Sequence, residues 1–385
     1  MEENFKMLAT TSFGLEGILA EELSALGAQK VTEGVRSVSF FGDNGFLYKA
    51  NLSLRTAIRI LKPIHEFKVT DEVDLVKSLQ KIKWEDYLSV DGTFSINAVV
   101  NSKYFTTNSH YISLKSKDAI ADYFRHQYHR RPNVDIKNPD LKIHVHIQHD
   151  NLTVSIDSSG DSLHKRGYRT ATNIAPINEV LAAGMILLSG YDGNSHFIDP
   201  MCGSGTILIE AAMIAHHIPA NINRKGFAFE KWADFDTNLY ELIKQALLKK
   251  VRNTAYKIIG YDKAPSAVLK AKDNIKNANL DGFIMVEQRN FFETEKEVDG
   301  PATLLFNPPY GERLQIETAP FYKEIGDTLK HHYPDTTVWF ITSDFEGLKH
   351  VGLRTSKKIP LKNGDLDCKL VRYDMYAGTK KIQNN

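Results

Sequence analysis

The sequence predicts an α/β protein, a doubly wound sheet preceded by smaller α/β units, and three observations carry that expectation. Strand-like apolar runs alternate with helical segments through the second half of the chain, as a parallel sheet covered on both faces requires. One of those runs, His196 to Asp199, passes through a Gly-rich turn into a helix. Before residue 160 the alternation recurs in shorter units. At 385 residues the chain is long enough for two or three domains, because single domains run to about 100–200 residues.

Residues 5–66 read as two small β-α-β units: FKMLATT, the amphipathic LEGILAEELSALG ending at Gly27, RSVSFFG, a short helix near GFLYKANL, and TAIRILKPIHEF. A second unit starts near Asp71 with DEVDLVKSLQKI. Strand-like TFSINAVV, helical ISLKSKDAIADYFRHQY and two alternating strands, LKIHVHIQ and LTVSID, follow, with a hairpin turn at Asp150-Asn151. His144 and His146 share one strand face; with no third ligand at a recognisable spacing they read as a solvated or core-edge pair rather than a metal site. After SSGDS the chain becomes polar and turn-rich, then enters an apolar helix near Pro176. The expected domains are therefore 1–66, 67–160 and 161–385, the last able to fold alone. Within it, HFID, KIIGYD, IMVEQRN, TLLFN and TVWFITS read as strands, and GTILIEAAMIA, APSAVLKAKDNIKNA and FYKEIGDTLKHH as helices. A short polar tail after Gly378 reads as mobile.

Composition narrows the function. The 48 basic and 47 acidic side chains nearly cancel, so any nucleic-acid surface must be local. Only Cys202 and Cys368 are present and neither forms a C-x-x-C pair, which argues for a reducing compartment, the cytoplasm, and against a zinc site. The first residues lack a basic segment followed by an apolar core, and no apolar stretch is long enough to cross a bilayer.

The chemistry lies at strand ends. FIDPMCGSGTILIEAA, Phe197 to Ala212, is not a G-x-G-x-x-G, since Leu208 stands where the third glycine would be, and no Gly-Lys-Ser/Thr follows to make a P-loop. Gly203 and Gly205 let a ligand approach the backbone at the carboxyl edge of the sheet. The Asp199 carboxylate repels phosphates but suits an ammonium or sulfonium group. The next strand ends at Asp262, which can accept both hydroxyls of an adenosine ribose or cap the helix that begins at Pro265. About twenty residues would normally separate the two motifs; here an extra helical excursion, HHIPANINRKGFAFEKWADFDTNLYELIKQALLKK, intervenes. In EQRNFFE, Asn290 can meet an adenine edge and Phe291 its face, or both belong to loop and core. Finally, LLFNPPYGERL must stop its strand at Asn307, because Pro308 and Pro309 cannot extend the ladder; they fix the Asn307 side chain and the Pro308 carbonyl as a rigid pair of acceptors.

Taken in order, D-P-x-C-G-S-G-T, G-Y-D, R-N-F and N-P-P-Y resemble the class I S-adenosylmethionine-dependent methyltransferases that methylate amines, with their Rossmann-like sheet. RGYR, APINEVLAAGMI, DPMCGSGTILIEAAMIA and NPPYGERL extend the resemblance, over almost the whole chain, to the bacterial 23S ribosomal RNA guanine-N2 methyltransferases that carry a THUMP domain. That resemblance implies a ferredoxin-like piece over 1–66, an RNA-binding THUMP domain over 67–160 and a catalytic domain over 161–385. It implies methyl transfer from S-adenosylmethionine to the N2 amine of a guanosine in large-subunit RNA or its precursor particle, with no metal. Asn307, Pro308, Pro309 and Tyr310 would be catalytic, Tyr310 stacking on the base. Asp199, Cys202, Gly203, Gly205, Asp262, Asn290, Phe291 and Asn307, together with Pro176, Thr206 and Lys263, would hold the cofactor. Asn290 replaces the Asp of many relatives, and these 385 residues are expected to hold one methyltransferase domain where the fused family members carry two.

A cytosine-C5 mechanism would need Cys202 as a thiolate; inside the cofactor loop it reads instead as a packing or cofactor contact. For RNA, FRHQYHRR supplies Arg125, Arg130 and Arg131 among aromatic and imidazole rings, and Lys165, Arg166 and Arg169 add charge near the catalytic pocket. The competing expectations are a transfer-RNA guanine-N2 methyltransferase, an adenine-N6 nucleic-acid methyltransferase, and a non-catalytic RNA-binding assembly factor.

Overall fold

A computed structural model describes residues 4–105, 108–169, 177–309 and 317–376. The polar tail, Pro176 and Tyr310 lie outside the described residues. The chain opens with β1 (Phe5–Thr10), α1 (Glu16–Leu26), β2 (Gln29–Gly34), β3 (Ser37–Gly42), α2 (Asn44–Ser53) and β4 (Arg59–Lys68). As expected α1 stops at Gly27, whose N–H bonds the carbonyls of Leu23 and Ser24. The strand order β2-β3-β1-β4 is that of a ferredoxin-like unit. The sequence pattern did not reveal β2: as an edge strand with only Val31 partly buried, it carries no apolar alternation.

α3 (Glu72–Gln80), β5 (Thr93–Asn101), α4 (Ser109–Tyr128), β6 (Asn133–Val134), β7 (Leu141–Gln148) and β8 (Asn151–Asp157) form the second unit. The side chains of Asp71 and Asn108 cap α3 and α4, accepting from the N–H of Asp74 and of Tyr111. β7 and β8 make the expected hairpin, with Gln148 opposite Asn151. The two units are not separate sheets. β8 also pairs antiparallel with β4, from Leu61↔Asp157 to Lys68↔Asn151, giving one eight-stranded sheet, β2-β3-β1-β4-β8-β7-β5-β6. The expected boundary at 66/67 thus falls inside β4.

The rest comprises α5 (Glu179–Leu188), β9 (His196–Asp199), α6 (Thr206–Ala215), α7 (Thr237–Leu248), β10 (Ile258–Asp262), α8 (Pro265–Asn277), β11 (Ile284–Gln288), β12 (Ala302–Phe306), α9 (Thr318–His332), β13 (Thr336–Thr342), β14 (Lys357–Asn363) and β15 (Leu366–Asp374). The sheet runs β11-β10-β9-β12-β13-β15-β14. The first five strands are parallel, and β15 is antiparallel to both β13 and β14. The order reverses between β9 and β12, which opens a crevice at their carboxyl ends. The closing β14–β15 hairpin was missed, although Asn363-Gly364 before the alternating LDCKLVRYD is a hairpin signal.

The excursion between α6 and β10 has a structural role. Phe227, Phe229 and Leu247 are part of the apolar core of the first unit, as is Leu163, with Leu239, Tyr240 and Ile243 packed against it. A buried polar network crosses the same junction. Arg55 Nη2 donates to the carbonyls of Met213 (3.0 Å) and Ile218 (2.7 Å), and Asn221 Nδ2 to that of Asn51 (2.8 Å). Cutting at 160/161 would uncover those apolar side chains and take from Asn221 the carbonyls of Asn51 and Leu54, which bears against the expectation that 161–385 folds alone. Among the described residues no helix is long and apolar enough to cross a membrane.

Candidate active site

At the carboxyl ends of β9, β10 and β12 lies a cavity of about 290 Å³. The β9–α6 loop forms one wall. Gly205 at the start of α6 has φ +81°, and a Cβ there would sit 3.2 Å from the Cβ of Ala271 on α8, so glycine answers both a backbone and a packing demand. The loop is pinned to β10: Cys202 N–H donates to the Tyr261 carbonyl (2.8 Å) and Gly203 N–H to Asp262 Oδ2 (2.9 Å). Asp262 Oδ1 accepts from Ala264 N–H (2.9 Å), so the carboxylate is oriented from both sides while the N-cap of α8 is Ala264.

Asp199 is fully buried at the end of β9. Its Oδ1 accepts from Met201 N–H (3.1 Å), whereas Oδ2 has no hydrogen-bond partner among the described residues. Burial drives this carboxyl well above the usual carboxylate range, and the Asp262 carboxylate adds to the rise. A buried acceptor oxygen left open in a ligand cavity is a ready partner for a cation, and the ammonium of a methionine moiety fits that demand. Burial together with the carboxylates of Asp199 and Asp262 also pushes the Cys202 thiol well above its normal value. That disfavours the thiolate a nucleophilic Cys202 would need.

Across the cavity, β12 delivers Asn307, Pro308 and Pro309 to the lining. Asn307 Oδ1 is a second buried oxygen with no partner among the described residues. Asp199, Cys202, Gly203, Thr206, Asp262, Lys263, Asn290, Phe291, Asn307, Pro308 and Pro309, all expected from sequence, line this one cavity. Gly205 acts behind it. Phe291 is only 2% exposed and packs in an aromatic cluster with Phe306 and Tyr333, so it forms the floor. The neighbouring Phe292 and the α9 residue Phe321 also line the cavity and were not anticipated. Asn290 is held by its own turn, Nδ2 donating to Glu293 Oε1 (2.9 Å).

The basic candidates disperse. Arg125 and Arg130 lie on or just beyond the end of α4, paired with Asp122 and Asp91, and Arg131 is exposed beside them; none lines the cavity. Lys165 is exposed and 3.4 Å from Asp161. Arg166 departs from expectation. Its side chain is 0% exposed and meets Glu210 at 3.4 Å, donating also to the carbonyls of Leu163 (2.8 Å) and Arg55 (2.5 Å) and to Asn221 Oδ1 (3.0 Å). It ties the linker to the catalytic half and cannot reach a phosphate. Arg169 is mostly buried, pairs with Glu179 (3.0 Å) and donates to the Ile177 carbonyl and Thr206 Oγ1 (both 2.9 Å), bracing the cavity wall. His144 and His146 are a core-edge pair, burial lowering His144 to about 4.

Residues 166–372 match the family described as RMKL-like, methyltransferase domain. This chain belongs to that methyltransferase family. The RMKL-like match is preceded by matches to an RlmL ferredoxin-like domain over residues 6–61 and to a THUMP domain over residues 69–157. The chain is 37% identical to the Synechocystis protein named "Putative RNA methyltransferase slr0064", with 96% of each chain covered. It is 34% identical to the ribosomal RNA large subunit methyltransferase K/L of Syntrophotalea carbinolica, covering 97% of this chain and 54% of the other, so it spans about half the length of that relative. The solved structure of SMU.472 complexed with SAH matches with a TM-score of 0.87 at 31% identity, over 98% of this chain and 100% of that one. The class I methyltransferase fold with a ferredoxin-like and THUMP region before it is thus the family's architecture, as the motifs led us to expect.

Proposed function

We propose that this chain transfers a methyl group from S-adenosylmethionine to the exocyclic N2 amine of a guanosine in RNA, with large-subunit ribosomal RNA as the substrate. The observation that carries the chemistry is the open Asn307 Oδ1, buried in the wall of the cavity whose opposite loop presents the open Asp199 Oδ2. The bound cofactor supplies a sulfonium methyl, an electrophile that needs no metal. Asp199 would hold the ammonium of its methionine moiety, Asp262 the ribose, and Asn290 with the Phe291–Phe292 turn the adenine.

A purine amine is a poor nucleophile because its lone pair is delocalised into the ring. Asn307 Oδ1 and the Pro308 carbonyl would accept its two hydrogens, letting the nitrogen pyramidalise and aim its lone pair; the double proline keeps both acceptors fixed before the base arrives. Pro309 would complete the rigid rim and Tyr310 would stack on the base. A paired guanine hides this amine, so the target must be unpaired or flipped into the cavity. The roles we assign are an N-terminal platform over 1–66, an RNA reader over 67–160 and catalysis over 161–385. The RNA choice draws support from the THUMP match and the two relatives named for RNA methylation. The test is transfer of labelled methyl to ribosomal RNA, transfer RNA or DNA: label in ribosomal RNA, recovered as N2-methylguanosine, is expected. Label in DNA alone, or as N6-methyladenine, would sink the reading, and no label at all would favour a binding factor.

A further inference from the structure

A cleft of about 670 Å³ opens between residues 137–142 of the THUMP region, the linker 159–169 and residues 224–231 of the excursion. Lys137, Lys142, Lys165, Arg224, Lys225 and Lys231 line it. Some of these cations build the walls. Arg224 donates to the carbonyls of Ser159, Asp161, Ser162 and Lys165, and Lys231 to those of Asn138 and Pro139, so the excursion is tied to both linker and THUMP region. A Cβ on Gly167 (φ +95°) would lie 2.2 Å from the Asn223 carbonyl oxygen, so linker and excursion touch backbone to backbone.

The acids in the cleft are already engaged: Glu179 with Arg169, Asp161 with Lys165, and Glu230 with the N–H of Phe227. Lys137 and Lys225 are exposed and have no carboxylate partner among the described residues. The cleft therefore presents uncompensated positive charge. Arg169 in its wall bonds Ile177 and Thr206, two residues of the active-site lining, so the cleft abuts the methyl-transfer cavity.

We infer that this cleft is the docking site for the phosphodiester backbone of the substrate RNA next to the target base, with Lys137 and Lys225 as the phosphate-contacting side chains. A single strand splayed toward the cavity must pass charged phosphates over neighbouring protein, and a basic groove bridging the RNA-reading and catalytic parts, with Lys137 and Lys225 free of carboxylate partners among the described residues, meets that need. His164 in this cleft is hydrogen-bonded to Ser162 Oγ (2.7 Å); burial first, and then the cations Lys165, Arg166, Arg169 and Arg224, hold its ring down to about 4. This inference rests on the RNA reading of the active site.

The test uses the full chain and a Lys137→Glu/Lys225→Glu double variant. Both are measured by anisotropy with a fluorescein-labelled RNA hairpin carrying a guanosine in its loop, at several salt concentrations, and by calorimetry with S-adenosylmethionine. The variant is expected to bind RNA at least about tenfold more weakly, with a log-affinity against log-salt slope shallower by about 1.4, two contacts at roughly 0.7 each. Cofactor affinity should be unchanged, and in methyl transfer the KM for RNA should rise while kcat at saturating RNA is kept. Unchanged RNA affinity and slope in a protein whose wild type methylates RNA would overturn the cleft and leave the active-site reading intact. A wild type that transfers no methyl to RNA would overturn that reading separately. Duplex DNA competing as well as RNA, and losing as much affinity in the variant, would mean a general polyanion groove and would also overturn the inference.

Discussion

The two open oxygens give the residue-scale predictions. Asn307→Ala removes an acceptor that matters chiefly in the transition state, so kcat should fall by about 10²–10³-fold while calorimetry finds cofactor affinity nearly unchanged. Asp262→Ala should do the reverse, weakening the cofactor, because it also frees the Gly203 N–H that shapes the loop. Equal loss of cofactor in both variants would mean the two sites are misassigned. Asp199 carries a pH signature. Its carboxyl is raised by burial above its unfolded value, so the folded protein binds the extra proton and cofactor-free stability falls as pH climbs from the ordinary carboxylate range through the raised value. Asp199→Asn should therefore raise the cofactor-free Tm at pH 7 by a few degrees. The difference should vanish below about pH 4. The same variant should lose the Tm increase that S-adenosylmethionine gives the wild type. A cofactor-free Tm at pH 7 that falls instead would show that Asp199 is already stabilised by a partner.

At the scale of elements, what the sequence revealed was local. Asp199, Asp262, Asn290 and Asn307 were legible because each ends or closely follows a strand beside turn-forming residues, and the strand order brings those ends to one crevice. Arg166 was misread because RGYR looks like a solvated basic turn; its partner Glu210 lies 44 residues away, and no local pattern marks a buried arginine. The same holds for β4 and β8, whose alternation declares two strands but not that they pair. Removing Arg166 takes from buried Glu210 its ion-pair partner and leaves the Tyr168 hydroxyl as its donor, so Arg166→Ala should cost about 3–5 kcal/mol in denaturant unfolding. A loss under about 0.5 kcal/mol, the range of surface changes, would return Arg166 to the surface.

For the whole molecule, the excursion and the linker pack residues 161–385 against the N-terminal unit. A fragment of residues 161–385 should lack cooperative thermal unfolding, because Phe227, Phe229 and Leu247 lose their apolar partners and Asn221 and Arg166 lose the carbonyls of residues 51–55. A fragment that melts cooperatively and binds S-adenosylmethionine would show the junction to be dispensable. The full chain, in contrast, holds a THUMP region, a basic cleft and the cavity we assign to methyl transfer in one molecule. The most direct measurement of what that arrangement does is nucleoside mass spectrometry of ribosomal RNA from cells lacking the protein, complemented with wild type or with Asn307→Ala. Loss of one N2-methylguanosine from large-subunit RNA, restored by wild type and not by Asn307→Ala, is the expected result; an unchanged complement of N2-methylguanosine in that RNA would contradict it.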